Sequence, residues 1–199
     1  MAETTAGGPG GWRGIDELAE LVGAYCWVER RIFELAGGWA VGPGGTDEGD
    51  EGAAELRVFW AAASRRHGAL AGRWAERLPV RAGVDAAGLV SAPDGPLAGA
   101  LEALGSEPGG WARAEGLVGA VLPRLAAVYE AHLRTASPVS EGPVMEDLVA
   151  ALRAAAAEIR GGRALLEALP GRSEAAGMLR AELQQAFERT NVFPAVRPS

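Results

Sequence analysis

Apolar residues recur at helical spacing in five stretches of the chain, and no stretch alternates apolar and polar residues in the period of a strand. From Ile15 to Leu35, the residues Leu18, Leu21, Val22, Tyr25, Ile32 and Phe33 fall on one face, and Gly37-Gly38 predicts a stop. Val41 to Asp50 reads as a Gly-rich acidic loop ending in an N-cap at Asp50. A second helix follows from about Glu51 to Leu78, on Leu56, Phe59, Trp60, Ala63, Leu70 and Trp74, and Pro79 closes it. Residues 79–110 carry Pro93 and Pro96 and read as a crossover with a short apolar piece at Leu97 to Leu104. The third helix is expected over Trp111 to Ala136 with a kink at Pro123, and SPVSEGP is expected to break the chain after it. Helix four runs from about Val144 to Leu169, and a shorter fifth helix, capped by Ser173, carries Leu179, Leu183, Ala186 and Phe187. The pattern predicts an all-α four-helix bundle with a long crossover between helices two and three and a short fifth helix. Residues 1–14 are expected to be a disordered tail, 15–190 one helical domain, and 191–199 an irregular tail.

Charge narrows the partners. The 26 acidic residues outnumber the 19 basic ones, all arginine, and the net charge of −7 predicts no nucleic-acid partner. Cys26 is the only cysteine, so no internal disulfide and no cysteine-based zinc cluster can form. The segment MAETTAGGPGG lacks the basic and apolar regions of a secretory signal, and no apolar run is long enough for a membrane span. A cytoplasmic location is the expectation.

The informative residues are polar ones inside apolar arcs. Glu29 lies near the centre of the first helix's stripe, among Val22, Tyr25, Ile32 and Phe33. His67 is flanked by Ala63, Leu70 and Trp74, and His132 by Val128, Tyr129 and Leu133. Glu158 sits on the flank of helix four's stripe. Glu130 projects away from its arc, toward an i, i+4 pair with Arg134. Inward carboxylates and imidazoles on facing helices fit a carboxylate-bridged metal centre, and they equally fit a buried cluster of mutually hydrogen-bonded charges. Ser64 and His67 share a face but lack the third member of a nucleophilic triad. Cys26 and the tryptophans read as packing residues.

The stretches WVERRIFE, SRRH, YEAHL running into SPV, and AEIRGG resemble the ferritin-like superfamily, in particular its small bacterial and tRNA-hydroxylase-like branches, over roughly residues 15–170. The resemblance implies two irons held by Glu on helices one and three and by Glu-x-x-His on helices two and four. Carried over, Glu29, His67, Glu158 and, on helix three, Glu130 or His132 are the candidate ligands. Ser64 stands where that pattern has Glu, and Gly161 where it has His. The implied function is a non-catalytic binding or scaffolding bundle with a degenerate site, which holds no cofactor or a single iron or manganese ion. The alternative is a non-haem iron oxidase or hydroxylase. A homodimer is the expected assembly, with a protein partner as a second expectation.

Overall fold

The computed structural model describes residues 13–42, 52–80, 83, 85–93, 95–169 and 174–193. Among them the regular structure is entirely helical: α1 (Ile15–Val41), α2 (Ala53–Ala75), α3 (Leu97–Ser106), α4 (Gly110–Gly116), α5 (Leu122–Thr135), α6 (Pro138–Ala168) and α7 (Glu174–Glu188). A π-helical turn, Leu117–Val121, joins α4 to α5 without a break. No helix of the described residues is long and apolar enough to cross a membrane.

Ring contacts fix the first pairing. Trp39 meets Trp60 at one end and Tyr25 meets Trp74 at the other, so α1 and α2 run antiparallel. Val118 against Gly162 and His132 against Glu141 set α6 antiparallel to the π-turn and α5. Phe59 against Gly162, with Arg73 against Asp147, sets α2 antiparallel to α6. Tyr25 with His132, and Glu29 with Tyr129, do the same for α1 and α5. Helix α7 packs on α3, α4 and the π-turn.

Several boundaries differ from the sequence expectation. Helix α1 continues through Gly37-Gly38, because Gly37 packs on Ser64 and the buried Trp39 anchors the last turn against Trp60. The expected break at SPVSEGP is instead the start of α6. Pro138 occupies the first helical position, where no amide is needed, and Pro143 lies on the exposed side. The expected kink at Pro123 takes the form of the π-turn just before it, which absorbs the missing amide and the ring's bulk near residue 119. Helix α2 ends at Ala75, followed by turns through the buried Leu78. The expected caps Asp50 and Ser173 lie outside the described residues, and the N-cap of α2 is Gly52. Its φ of 96° and its position against the Leu169 side chain both require glycine. Arg13 and Phe193, expected in tails, are docked: Arg13 bonds Thr135, and Phe193 stacks on Tyr25 and Phe187.

The crossover straps α1 at one point. A Cβ on Gly23 would lie 2.1 Å from the carbonyl oxygen of Leu89, so only glycine lets the two backbones meet there. Gly23→Ala is expected to lower stability by about 1–3 kcal/mol through that clash. Gly72→Ala in α2, where the added Cβ meets nothing within 4 Å, is expected to raise stability by about 0.5–1 kcal/mol. Urea unfolding midpoints of the two variants check the contrast.

Candidate functional site

Tyr25 and Glu29 stand one turn apart on the inner face of α1, and Tyr129 and His132 one turn apart on that of α5. Each helix offers its tyrosine to the other's titratable group. Tyr129 donates to Glu29 Oε1 at 2.6 Å, and the Tyr25 hydroxyl lies 3.1 Å from His132 Nδ1. The two rings touch edge to face with centroids 4.9 Å apart, which joins two polar clusters through an aromatic centre.

The first cluster is built on His67. Its Nδ1 bonds Glu29 Oε2, and its Nε2 lies 3.5 Å from Glu158 Oε2, an ion-pair distance with no hydrogen bond. Glu158 Oε2 also accepts from Arg66 at 2.7 Å, whereas its Oε1 is buried with no partner among the described residues. Glu29 and His67 are 1% and 2% exposed, so water does not screen their attraction. Burial pulls the His67 pKa down, but the charges of Glu29 and Glu158 and the hydrogen bond to Glu29 outweigh it and raise it to about 9. His67 is therefore an imidazolium at neutral pH. Burial raises the Tyr129 pKa well above its usual value, and the Glu29 charge adds to that, so Tyr129 stays a donor.

The second cluster has the opposite charge state. His132 Nε2 lies 2.7 Å from Glu141 Oε2, and Glu141 Oε1 accepts the Ser137 amide at 3.1 Å. Arg13 approaches Glu141 to 3.7 Å and donates to Thr135 at 2.9 Å. Burial lowers the His132 pKa, Arg13 adds to the effect, and Glu141 opposes it. Neutral His132 is fully satisfied when Tyr25 donates to Nδ1 and Nε2–H donates to Glu141. The Tyr25 pKa is itself raised, by burial first.

The candidates thus separate. Glu29, His67 and Glu158 come together in one cluster, and His132 belongs to the other. Glu130 is not brought to either: its side chain is 63% exposed and lies 3.4 Å from Arg134, because the inward phase of α5 is taken by Tyr129 and His132. Ser64 donates to the Phe33 carbonyl at 3.0 Å, and Gly161 faces open space on the exposed side of α6. Sequence reasoning missed Glu141, because SPVSEGP reads as a break. With α6 starting at Pro138, Glu141, Val144, Leu148 and Ala151 form one inward stripe. It also missed the buried Asp147, which Arg77 in the turn after α2 and Arg73 on α2 clamp at 2.6 and 3.1 Å.

A metal ion needs ligand atoms that converge on one point. The two ring nitrogens of His67 diverge, one toward each carboxylate, and both Glu29 oxygens already accept hydrogen bonds. Among the described residues, no group of three or more His, Cys, Asp or Glu side chains is placed to hold a metal. Comparison of the chain with family models, curated proteins and solved structures finds no match.

The two histidines give stability a two-sided pH dependence. His67, with its folded pKa raised, contributes stability that is complete below 6.5 and is lost as pH rises through about 9. His132, with its folded pKa lowered, contributes in the opposite sense: its stability is complete above 6.5 and declines as pH falls below that value. Unfolding free energy measured across this range is expected to peak near neutrality. His67→Gln should abolish the alkaline decline, leave the acid limb in place, and cost on the order of 3 kcal/mol at pH 7 by stranding Glu29. An alkaline limb unchanged in that variant would contradict the assignment.

Proposed function

We propose that the chain is a ferritin-like four-helix bundle in which a protonated histidine stands where related bundles hold metal, and that it serves as a non-catalytic binding or scaffolding protein. The order of neighbours supports the bundle reading. Helices α1, α2, α6 and α5 form a closed ring of antiparallel contacts, and α2 and α5 run in the same sense, which calls for a long crossover such as residues 76–109. One observation carries the functional reading: the His67 imidazolium lies between Glu29 and Glu158 and supplies the positive charge that a cation would otherwise bring. The reading keeps one weakly held iron or manganese ion at most, on the Glu158 Oε1 that has no hydrogen-bond partner among the described residues. A homodimer through the outer faces of α1 and α2 fits the exposure of Phe33 and Val58, at 43% and 71%.

Iron titration tests the reading. Under anaerobic addition of ferrous iron followed by oxygen, the purified chain is expected to bind no more than one iron and to develop no oxo-bridged charge-transfer band. Two equivalents with such a band would overturn the proposal in favour of a non-haem iron oxidase or hydroxylase.

A further inference from the structure

At one corner of the bundle a single carboxylate oxygen serves both an imidazole and a guanidinium. Glu141 Oε2 lies 2.7 Å from His132 Nε2 and 3.7 Å from Arg13 Nη1. Arg13 stands just ahead of α1 with its side chain 18% exposed, and its Nη1 is buried with no hydrogen-bond partner among the described residues. Its Nη2 donates to Thr135 Oγ1 at 2.9 Å, and the Thr135 hydroxyl bonds the carbonyls of Ala131 and His132 at the end of α5. Arg13 thus ties the start of α1 to the corner where α5 passes into α6. The titratable or charged groups facing His132 there are Tyr25 from α1, Glu141 from α6 and Arg13 itself. Trp74 of α2 and Phe193 lie against the Tyr25 ring, and Asp147, farther along α6, is held by Arg73 and Arg77.

A proton added to His132 changes what this corner can hold. The imidazolium takes Glu141 Oε2 in a charge-assisted bond, and one carboxylate then faces two positive charges. The new Nδ1–H also points at the Tyr25 oxygen, so the Tyr25 hydroxyl loses its acceptor. Tyr25 is fully buried in the middle of α1 and cannot turn away. Arg13 can, because the first turn of α1 is closed without it: the Gly14 amide donates to Glu17 Oε2 at 3.0 Å, and the Leu18 amide to the Gly14 carbonyl at 2.9 Å.

We infer that Arg13 and His132 form an acid-released latch, in which Arg13 holds Glu141 and Thr135 while His132 is neutral and lets go when His132 takes up a proton. The coupling is reciprocal: docked Arg13 keeps the proton off His132 by as much as the protonated ring loosens Arg13. Burial, opposed by Glu141 and joined by Arg13, lowers the His132 pKa, which puts the release on the acid side of 6.5. The latch uses the second cluster alone and is independent of what the Glu29, His67 and Glu158 cluster holds.

NMR of the full chain tests the latch, with the His132 ring protons and the Arg13 Nε–H signal followed from about pH 7.5 to about pH 5. The Arg13 signal is expected to move to its free-arginine position with the same midpoint as His132, while the backbone signals of α1 and α5 stay folded. In Arg13→Gln, which alters a partly exposed residue, the His132 midpoint is expected to rise. In His132→Gln, whose amide can still meet Glu141 and Tyr25, Arg13 is expected to stay docked across the range. The first two measurements decide alone where His132→Gln does not fold. An Arg13 signal that is already free at neutral pH, that does not follow His132, or that is released at the same pH in His132→Gln would overturn the latch. So would a His132 midpoint unmoved in Arg13→Gln, or unfolding of the whole chain in place of a local release.

Discussion

Placing ionisable groups between helices costs several kcal/mol for each charge unless an opposite charge or a hydrogen bond meets it inside. Glu29, His67, Glu158 and Arg66 meet that condition only as a set, since His67 separates two carboxylates that would otherwise repel and Arg66 balances the second. The set spans α1, α2 and α6, and Tyr129 ties it to α5. A shift of any one helix by a turn would strand a buried charge. The apolar core around it, with Trp60, Trp74, Leu148 and Val22 fully enclosed, supplies cohesion without direction. Register comes from the polar set.

The same set restricts what chemistry the interior can host. A neutral imidazole with a free lone pair is a ligand, whereas an imidazolium held between two carboxylates is a counterion. Similar residue types at similar helical positions therefore serve opposite ends, and the difference lies in where a single proton resides.

Glu29 and His67 were legible in the sequence because each is a lone polar residue within an uninterrupted apolar arc, so a helical wheel sufficed to turn them inward. Glu141 was hidden because Pro138 and Pro143 look like a chain break, although one begins a helix and the other sits on its wet side. The length of α1 was hidden for a related reason: local glycine preference at Gly37-Gly38 yields to the packing of Trp39 on Trp60, a contact between distant residues. Carrying a motif across by spacing alone offered Glu130 beside His132, and helix phase, which the motif does not encode, turns Glu130 outward.

The exchange of tyrosines between α1 and α5 bears on how the chain assembles. The His67–Glu29 pair lies within the α1–α2 hairpin and the His132–Glu141 pair within the α5–α6 hairpin, at sequence separations of 38 and 9. The bonds that cross between hairpins are the tyrosine ones, at separations of 100 and 107, and the arginine pairs with α6, Arg66 with Glu158 and Arg73 and Arg77 with Asp147, at 92, 74 and 70. Each hairpin can thus bring its carboxylate and imidazole together locally, before the slower search that joins the halves. What remains for docking is the handover of two neutral hydroxyls, the closing of an aromatic seam and the meeting of Glu158 and Asp147 with Arg66, Arg73 and Arg77. The long-range step of folding thus matches charge as well as shape, and a wrongly paired half would be recognised by an unsatisfied phenol or a stranded carboxylate.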